Sequence, residues 1–130
     1  MPMRMSREPL IATLLLAVTM IFTGYYLLPE LTIGRYDLND NVAHVTIVER
    51  MATTLSAGGS PLDFWVPEFT FGYPVARTYQ LMPYGLVVGL YFLMGKTVSL
   101  LTVFLWVKYL AIVLLPVSFS YAGGFWACLR

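Results

Sequence analysis

The chain has 130 residues, of which 58% are hydrophobic and 12% are charged, with a net charge of +1 and a mean hydropathy of +0.73. A soluble domain carries roughly twice this charged fraction, so the composition indicates a single membrane domain. It excludes a nucleic-acid-binding protein, because no basic run is present, and an internal disulfide, because Cys128 is the one cysteine.

The first apolar segment, residues 9–28, carries no charged residue and is long enough to cross a hydrocarbon core of about 30 Å as a helix. Arg4 and Arg7 precede it and Tyr25 and Tyr26 lie at its far end, which predicts a cytoplasmic N-terminus. A cleaved signal peptide is the alternative. No A-x-A-like site follows, however, and the apolar run is longer than an ordinary signal core, so we predict an uncleaved transmembrane helix.

Residues 29–79 then form a predicted external loop, because the chain has just crossed the membrane. Only three basic residues lie in this segment, and a loop poor in Lys and Arg is readily translocated. Six acidic residues accompany them: Glu30, Asp37, Asp40, Glu49, Asp63 and Glu68.

Within this loop, apolar residues recur at spacings of three and four, which predicts an amphipathic helix over about residues 40–57. Asn39 or Asp40 can cap its start, and Gly58 and Gly59 can end it. We expect the helix to lie along the membrane surface. Its predicted apolar stripe is Val42, Val45, Val48, Met51, Ala52 and Leu55.

The segment that follows, SPLDFWVPEFTFGYP, has three prolines that exclude a helix and five aromatic residues that can pack. It is therefore predicted to be an ordered aromatic loop. Residues 80–95 are a second, short candidate span, and residues 97–122 are a third. Lys96, between them, is expected on the cytoplasmic side.

Lys108 interrupts the third segment, and two interpretations follow. In the first, which we favour, one tilted helix carries Lys108 toward a protein-lined interior. There Lys108 could reach a phosphate from inside the membrane, and the alternative is that it snorkels toward the cytoplasmic interface. In the second, residues 97–107 lie at the interface and the span begins near Tyr109. Pro116 would kink either helix.

Ten residues of the loop follow one another in a distinctive order, namely Asp40, His44, Gly59, Pro61, Trp65, Pro67, Gly72, Tyr73, Pro74 and Tyr79. Their order between the first and second apolar segments resembles the N-terminal part of glycosyltransferase C superfamily membrane proteins. The similarity is strongest to the "6-pyruvoyl-tetrahydropterin synthase-related" membrane domains and the YfhO-like proteins, and it extends over residues 10–122. Such proteins have many more spans, so the chain is expected to be an N-terminal fragment.

The resemblance implies sugar transfer from a polyprenyl-phosphate donor, with acidic residues of the first external loop as the chemical groups. Asp40, Asp37 and His44 are the candidate catalytic residues, since transfer needs a base for the acceptor hydroxyl. Asp37 and Asp40 could also hold Mg²⁺ or Mn²⁺ through hard oxygen ligands. The alternative is that the two aspartates cap the helix and His44 is solvated.

Five further residues are candidates for substrate binding. Arg50 and Arg77 could clamp a phosphate, although an Arg50–Glu49 surface pair is an alternative. Trp65, Tyr73 and Tyr79 could stack on a sugar or isoprenoid, although aromatic residues near a membrane are mostly interface anchors.

The sequence thus predicts an all-α membrane protein with about three transmembrane helices, an external amphipathic helix and an ordered aromatic loop. The expected location is a prokaryotic cytoplasmic membrane, and the expected partners are the bilayer, a polyprenyl-phosphate sugar, and the remaining helices of a longer protein or a partner subunit. A non-enzymatic membrane subunit whose external loop docks a partner is the competing function.

Overall fold

The computed structural model describes residues 7–32, 40–69, 72–78 and 80–128. Four α-helices occur in this part of the chain: α1 (Arg7–Leu27), α2 (Asn41–Ser56), α3 (Met82–Leu93) and α4 (Leu100–Cys128). Two 3-10 turns lie between them, at Leu28–Thr32 and Val75–Arg77. No strand is present among the described residues, so the predicted all-helical class is confirmed at this level.

Local sequence explains where the helices begin and end. α1 ends at Leu27, two residues before Pro29, and proline disfavours α-helical geometry in the residue that precedes it, here Leu28. Ser99 caps α4, because its Oγ accepts a hydrogen bond from the N–H of Thr102 at 3.1 Å. α3 ends where Gly95 and Lys96 take positive φ angles of 64° and 60°, which an α-helix cannot continue.

Two helical segments among the described residues are long and apolar enough to cross a membrane. They are Leu10–Thr32 and Leu100–Ala122, each of 23 residues. α3 has 12 residues, so it extends over about 18 Å, which is shorter than a hydrocarbon core of about 30 Å. Two of the three predicted spans, residues 9–28 and 97–122, are therefore supported by length and composition, and the second, residues 80–95, is not confirmed.

The described chain divides into two compact units. The first, here called the apolar unit, contains the described residues up to Thr32 and from Lys108 onward. The second, here called the loop unit, contains the described residues from 40 to Val107. α4 is one continuous helix that contributes to both units and runs through Pro116.

The core of the loop unit forms where α2 packs against α3. Apolar side chains of the aromatic loop and of the first turn of α4 complete it. The buried residues are Val45, Ile47, Val48, Met51, Ala52, Phe64, Val66, Val75, Tyr84, Val87, Val88, Val103 and Phe104.

The buried side of α2 differs in three positions from the predicted stripe. Ile47 is 2% exposed although it lies outside that stripe, whereas Val42 and Leu55, both predicted to be buried, are 40% and 37% exposed. The buried residues of α2 span an arc of about 160°, because the aromatic loop covers the helix in addition to α3. Leu55 lies in the last turn, beyond this cover.

Candidate functional site

Asp40 immediately precedes α2 and is exposed. Its carbonyl oxygen accepts the first hydrogen bond of the helix, from the N–H of His44 at 3.1 Å. Its carboxylate makes no capping hydrogen bond, so the predicted side-chain cap is wrong for this residue. The reason is conformational: φ and ψ of −48° and −20° are helical, whereas a capping side chain needs an extended backbone.

His44 lies one turn after Asp40, as the spacing predicted, and contacts α3. Its Nδ1 is 2.7 Å from the hydroxyl of Tyr84, and the two rings stack with their centroids 5.8 Å apart. His44 is half-buried and Tyr84 is buried. The interpretation of His44 as a solvated side chain is therefore wrong, and the imidazole has a fixed orientation.

Sequence reasoning missed Tyr84. It lies 40 residues from His44, and neither helical spacing nor a motif connects the two positions. The available signal was a tyrosine, Tyr84, in the first turn of an otherwise apolar helix. A buried tyrosine hydroxyl needs a polar partner, and that partner can come from elsewhere in the chain.

The aspartate pair predicted to bind metal cannot be assembled from the described residues. Asp37 lies outside them, and no group of three His, Cys, Asp or Glu side chains clusters within them. The described surroundings of Asp40 thus do not supply a ligand set for Mg²⁺ or Mn²⁺, and the metal remains a prediction.

Arg50 forms an ion pair with Glu68 of the aromatic loop. Its Nε lies 3.1 Å from one carboxylate oxygen and its Nη2 contacts the other, which is bidentate geometry. Each side chain is 40% exposed. This ion pair joins α2 to the aromatic loop.

Arg77 also lies beside a carboxylate. Its Nη2 is 3.5 Å from Asp63 Oδ1, and the two side chains are 71% and 64% exposed. At this distance and exposure the pair contributes about 0–1 kcal/mol. A phosphate could displace Asp63 far more readily than it could displace the bidentate Glu68.

The aromatic loop turns back on itself. Val66 and Tyr73 form an antiparallel bridge with two N–H···O=C bonds of 3.1 Å. Val66 is fully buried, whereas the neighbouring Trp65 is 57% exposed and Tyr73 is 39% exposed. The indole of Trp65 covers Gly72, where an added Cβ would lie 2.0 Å from its Nε1. Trp65 and Tyr73 therefore offer aromatic surface to a ligand, while Tyr79 lies outside the described residues.

The predicted site residues are spread along α2. Asp40 and Arg50 are ten residues apart, which is about 15 Å along the helix axis. A phosphate held by Arg50 would thus lie far from the Asp40 carboxylate.

The apolar unit contains a second polar cluster. Lys108 Nζ lies 2.6 Å from Glu30 Oε2, with side-chain exposures of 24% and 40%. The adjacent Tyr109 hydroxyl donates a hydrogen bond to the carbonyl oxygen of Gly24 at 3.0 Å. Sequence reasoning expected Lys108 to find a protein-lined environment but did not identify Glu30.

No known protein family, curated protein or solved structure matches the chain.

Proposed function

We propose that the chain is the N-terminal part of a glycosyltransferase C-like integral membrane protein that transfers sugar from a polyprenyl-phosphate donor. The observation that carries this proposal is the exposed carboxylate of Asp40, at the start of an ordered helix and eight residues after the candidate span that ends at Thr32. Eight residues reach at most roughly 28 Å, so the carboxylate lies within reach of a lipid head group.

In the proposed reaction Asp40 is the general base. Its carboxylate takes the proton of the acceptor hydroxyl as the acceptor oxygen bonds to the anomeric carbon of the sugar. The bond between that carbon and the phosphate oxygen breaks, and the polyprenyl phosphate leaves with the electron pair. His44, held by Tyr84, is a candidate to orient the acceptor or the carboxylate.

Other predicted residues have narrower roles in this proposal. Asp37 is a second candidate base, and with Asp40 it could hold Mg²⁺ or Mn²⁺, which would neutralise the leaving phosphate. Arg77 is a better candidate than Arg50 for binding phosphate, because its present partner is held weakly. Trp65, Tyr73 and Tyr79 are candidate stacking surfaces for sugar or isoprenoid.

The proposed topology follows the positive-inside rule. Arg4 and Arg7 are cytoplasmic and residues 29–79 are external, in a prokaryotic cytoplasmic membrane. The sugar donor would then be used at the outer face of the membrane, where the Asp40 carboxylate lies in this arrangement.

The test is an Asp40→Asn variant in the full-length protein of which this chain is proposed to be the N-terminal part, assayed in membranes with a polyprenyl-phosphate sugar donor. Asparagine keeps the size of the side chain but cannot accept the proton, so transfer should fall about 100-fold or more. Glu49→Gln removes an exposed carboxylate from the same helix and is the matched control, with activity expected within about twofold. Asp37→Asn and His44→Gln rank the other two candidates. Full activity in all three candidate variants would contradict the enzymatic proposal.

A specific observation favours the alternative, a non-enzymatic membrane subunit whose external loop docks a partner. Both arginines predicted to bind phosphate already contact carboxylates of the loop, while Leu62 and Trp65 are 68% and 57% exposed. A photo-crosslinking residue at Leu62 tests this function. Capture of one membrane protein in stoichiometric yield, without any sugar transfer, would support docking over catalysis.

A further inference from the structure

α3 has apolar surface on two opposite sides. Tyr84, Val87 and Val88 are buried in the core of the loop unit, against α2. On the other side, Met82, Leu86 and Leu93 are 88%, 56% and 83% exposed, and the helix carries no charged residue.

The three exposed residues form one continuous stripe. At 100° per residue, Met82, Leu86 and Leu93 fall within about 40° of one another on the helix. Gly85 and Gly89 border the same stripe, and a Cβ added at either would meet nothing within 4 Å. We call this surface the α3 stripe. Contiguous exposed apolar surface of this kind marks an interaction site.

The chain itself indicates which partner covers the stripe. The described loop unit follows one candidate span, which ends at Thr32, and contains the first residues of another, which begins at Leu100, seven residues after Leu93. Both ends of the unit are thus tethered near a bilayer. Exposed Lys96 follows the helix and suits anionic phosphate groups, with its Nζ 4.5 Å from the Phe92 ring and 3.3 Å from Ser56 Oγ.

A membrane crossing by α3 is disfavoured by its length and its packing. About 18 Å of helix cannot span about 30 Å of hydrocarbon. A crossing would also draw α2 into the membrane, because the two helices share one core, and α2 carries exposed Glu49 and the Arg50 ion pair.

We propose that α3 lies in the plane of the bilayer surface and buries Met82, Leu86 and Leu93 in the outer part of the hydrocarbon. Lys96 then lies on the same side of the membrane as Ser60, opposite to the side predicted from the sequence. This proposal does not depend on sugar transfer.

Fluorophores attached to single cysteines measure the depth of the stripe. Met82→Cys, Leu86→Cys and Leu93→Cys are made in a Cys128→Ser chain, which is reconstituted into vesicles of neutral and anionic phospholipid containing lipids with quenchers at two depths. The expected result is at least severalfold quenching at all three positions and one common shallow depth, about 5–10 Å below the head groups. Thr53→Cys, on the exposed side of α2, is the control and should remain unquenched.

Three outcomes would overturn the proposal. Depths that change by about 16 Å between Met82 and Leu93 would mean that α3 crosses the membrane. Absence of lipid quenching together with short label-to-label distances between chains would assign the stripe to a second copy. Absence of both would leave the stripe in water.

A second readout does not require a label on the stripe. Lys96→Cys and Ser60→Cys, each in the Cys128→Ser chain, are treated with a membrane-impermeant maleimide in sealed vesicles of known orientation. Reaction of both cysteines from the same side supports an in-plane helix, and reaction from opposite sides overturns it. Circular dichroism of each variant verifies that the helices are intact.

Discussion

Gly72 and Gly85 differ in what surrounds them, although both are glycines of the loop unit. Gly72 has a φ of 108° and lies under the indole of Trp65. Gly85 is helical and has open space where a Cβ would be. The sequence does not distinguish these two glycines. They differ in the backbone φ angle and in the side chain that lies next to each.

We therefore predict opposite effects of alanine at these two positions. Gly72→Ala should lower the free energy of unfolding by roughly 1–3 kcal/mol, because alanine is strained at positive φ and its Cβ displaces Trp65. Gly85→Ala should be neutral or raise it by up to about 1 kcal/mol, since alanine favours the helix. Thermal and urea unfolding in detergent, followed by circular dichroism, would measure both. Equal destabilisation would contradict the described position of Trp65.

The contacts of the candidate site differ in how well they can be predicted from the sequence. The one-turn spacing of Asp40 and His44 was predicted correctly, because it depends only on helical geometry. The partners of His44 and Arg50, namely Tyr84 and Glu68, are 40 and 18 residues away. Such pairs are fixed by how separate elements pack, so local pattern could not reveal them.

At the scale of elements, α2 was predicted almost to its ends. Its observed bounds, Asn41–Ser56, lie within about one residue of the predicted start and end, because apolar spacing and the Gly58 signal both act locally. The start signal was read less well, since Asp40 does not cap with its carboxylate. α3 was predicted as a helix. Hydropathy alone, however, could not distinguish a transmembrane helix from an apolar helix that packs on the protein through one side only.

The amphipathic character of α2 gives a direct test. Val48 is fully buried and Thr53 is exposed. Val48→Asp would bury an unpaired carboxylate and should lower the free energy of unfolding by about 3 kcal/mol or more. Thr53→Asp, the matched control, should change it by about 0.5 kcal/mol or less. Comparable tolerance of both substitutions, measured by chemical unfolding, would remove α2 from the core.

At the scale of the whole molecule, the described chain has two candidate spans and two compact units. The loop unit ends at Val107, and the apolar unit resumes at Lys108, the residue that interrupts the third apolar segment of the sequence. Because Lys108 pairs with Glu30, which lies just beyond α1, the charged interruption coincides with a structural boundary.

A double-mutant cycle tests whether this ion pair stabilises the apolar unit. Lys108→Met, Glu30→Gln and the double variant should give a coupling of about 1 kcal/mol, because both side chains are partly buried and the contact is 2.6 Å. The same cycle at Arg77 and Asp63, which are 3.5 Å apart and mostly exposed, should give about 0.3 kcal/mol or less. The free energy of unfolding in detergent is the measurement. Equal coupling at the two pairs would contradict the stronger role of Lys108.

The sequence alone determined that the protein is helical, that two segments are apolar and long enough to cross a bilayer, and where α2 lies. Hydrophobic periodicity, helix length and glycine signals are local properties, so they are readable without a fold. Packing between distant parts of the chain buries Ile47 and brings three pairs into contact: His44 with Tyr84, Arg50 with Glu68, and Lys108 with Glu30. Packing also buries one apolar side of α3 in the core and leaves the other side exposed. Burial depends on which elements pack together, and elements that are far apart in sequence cannot be paired from a local pattern.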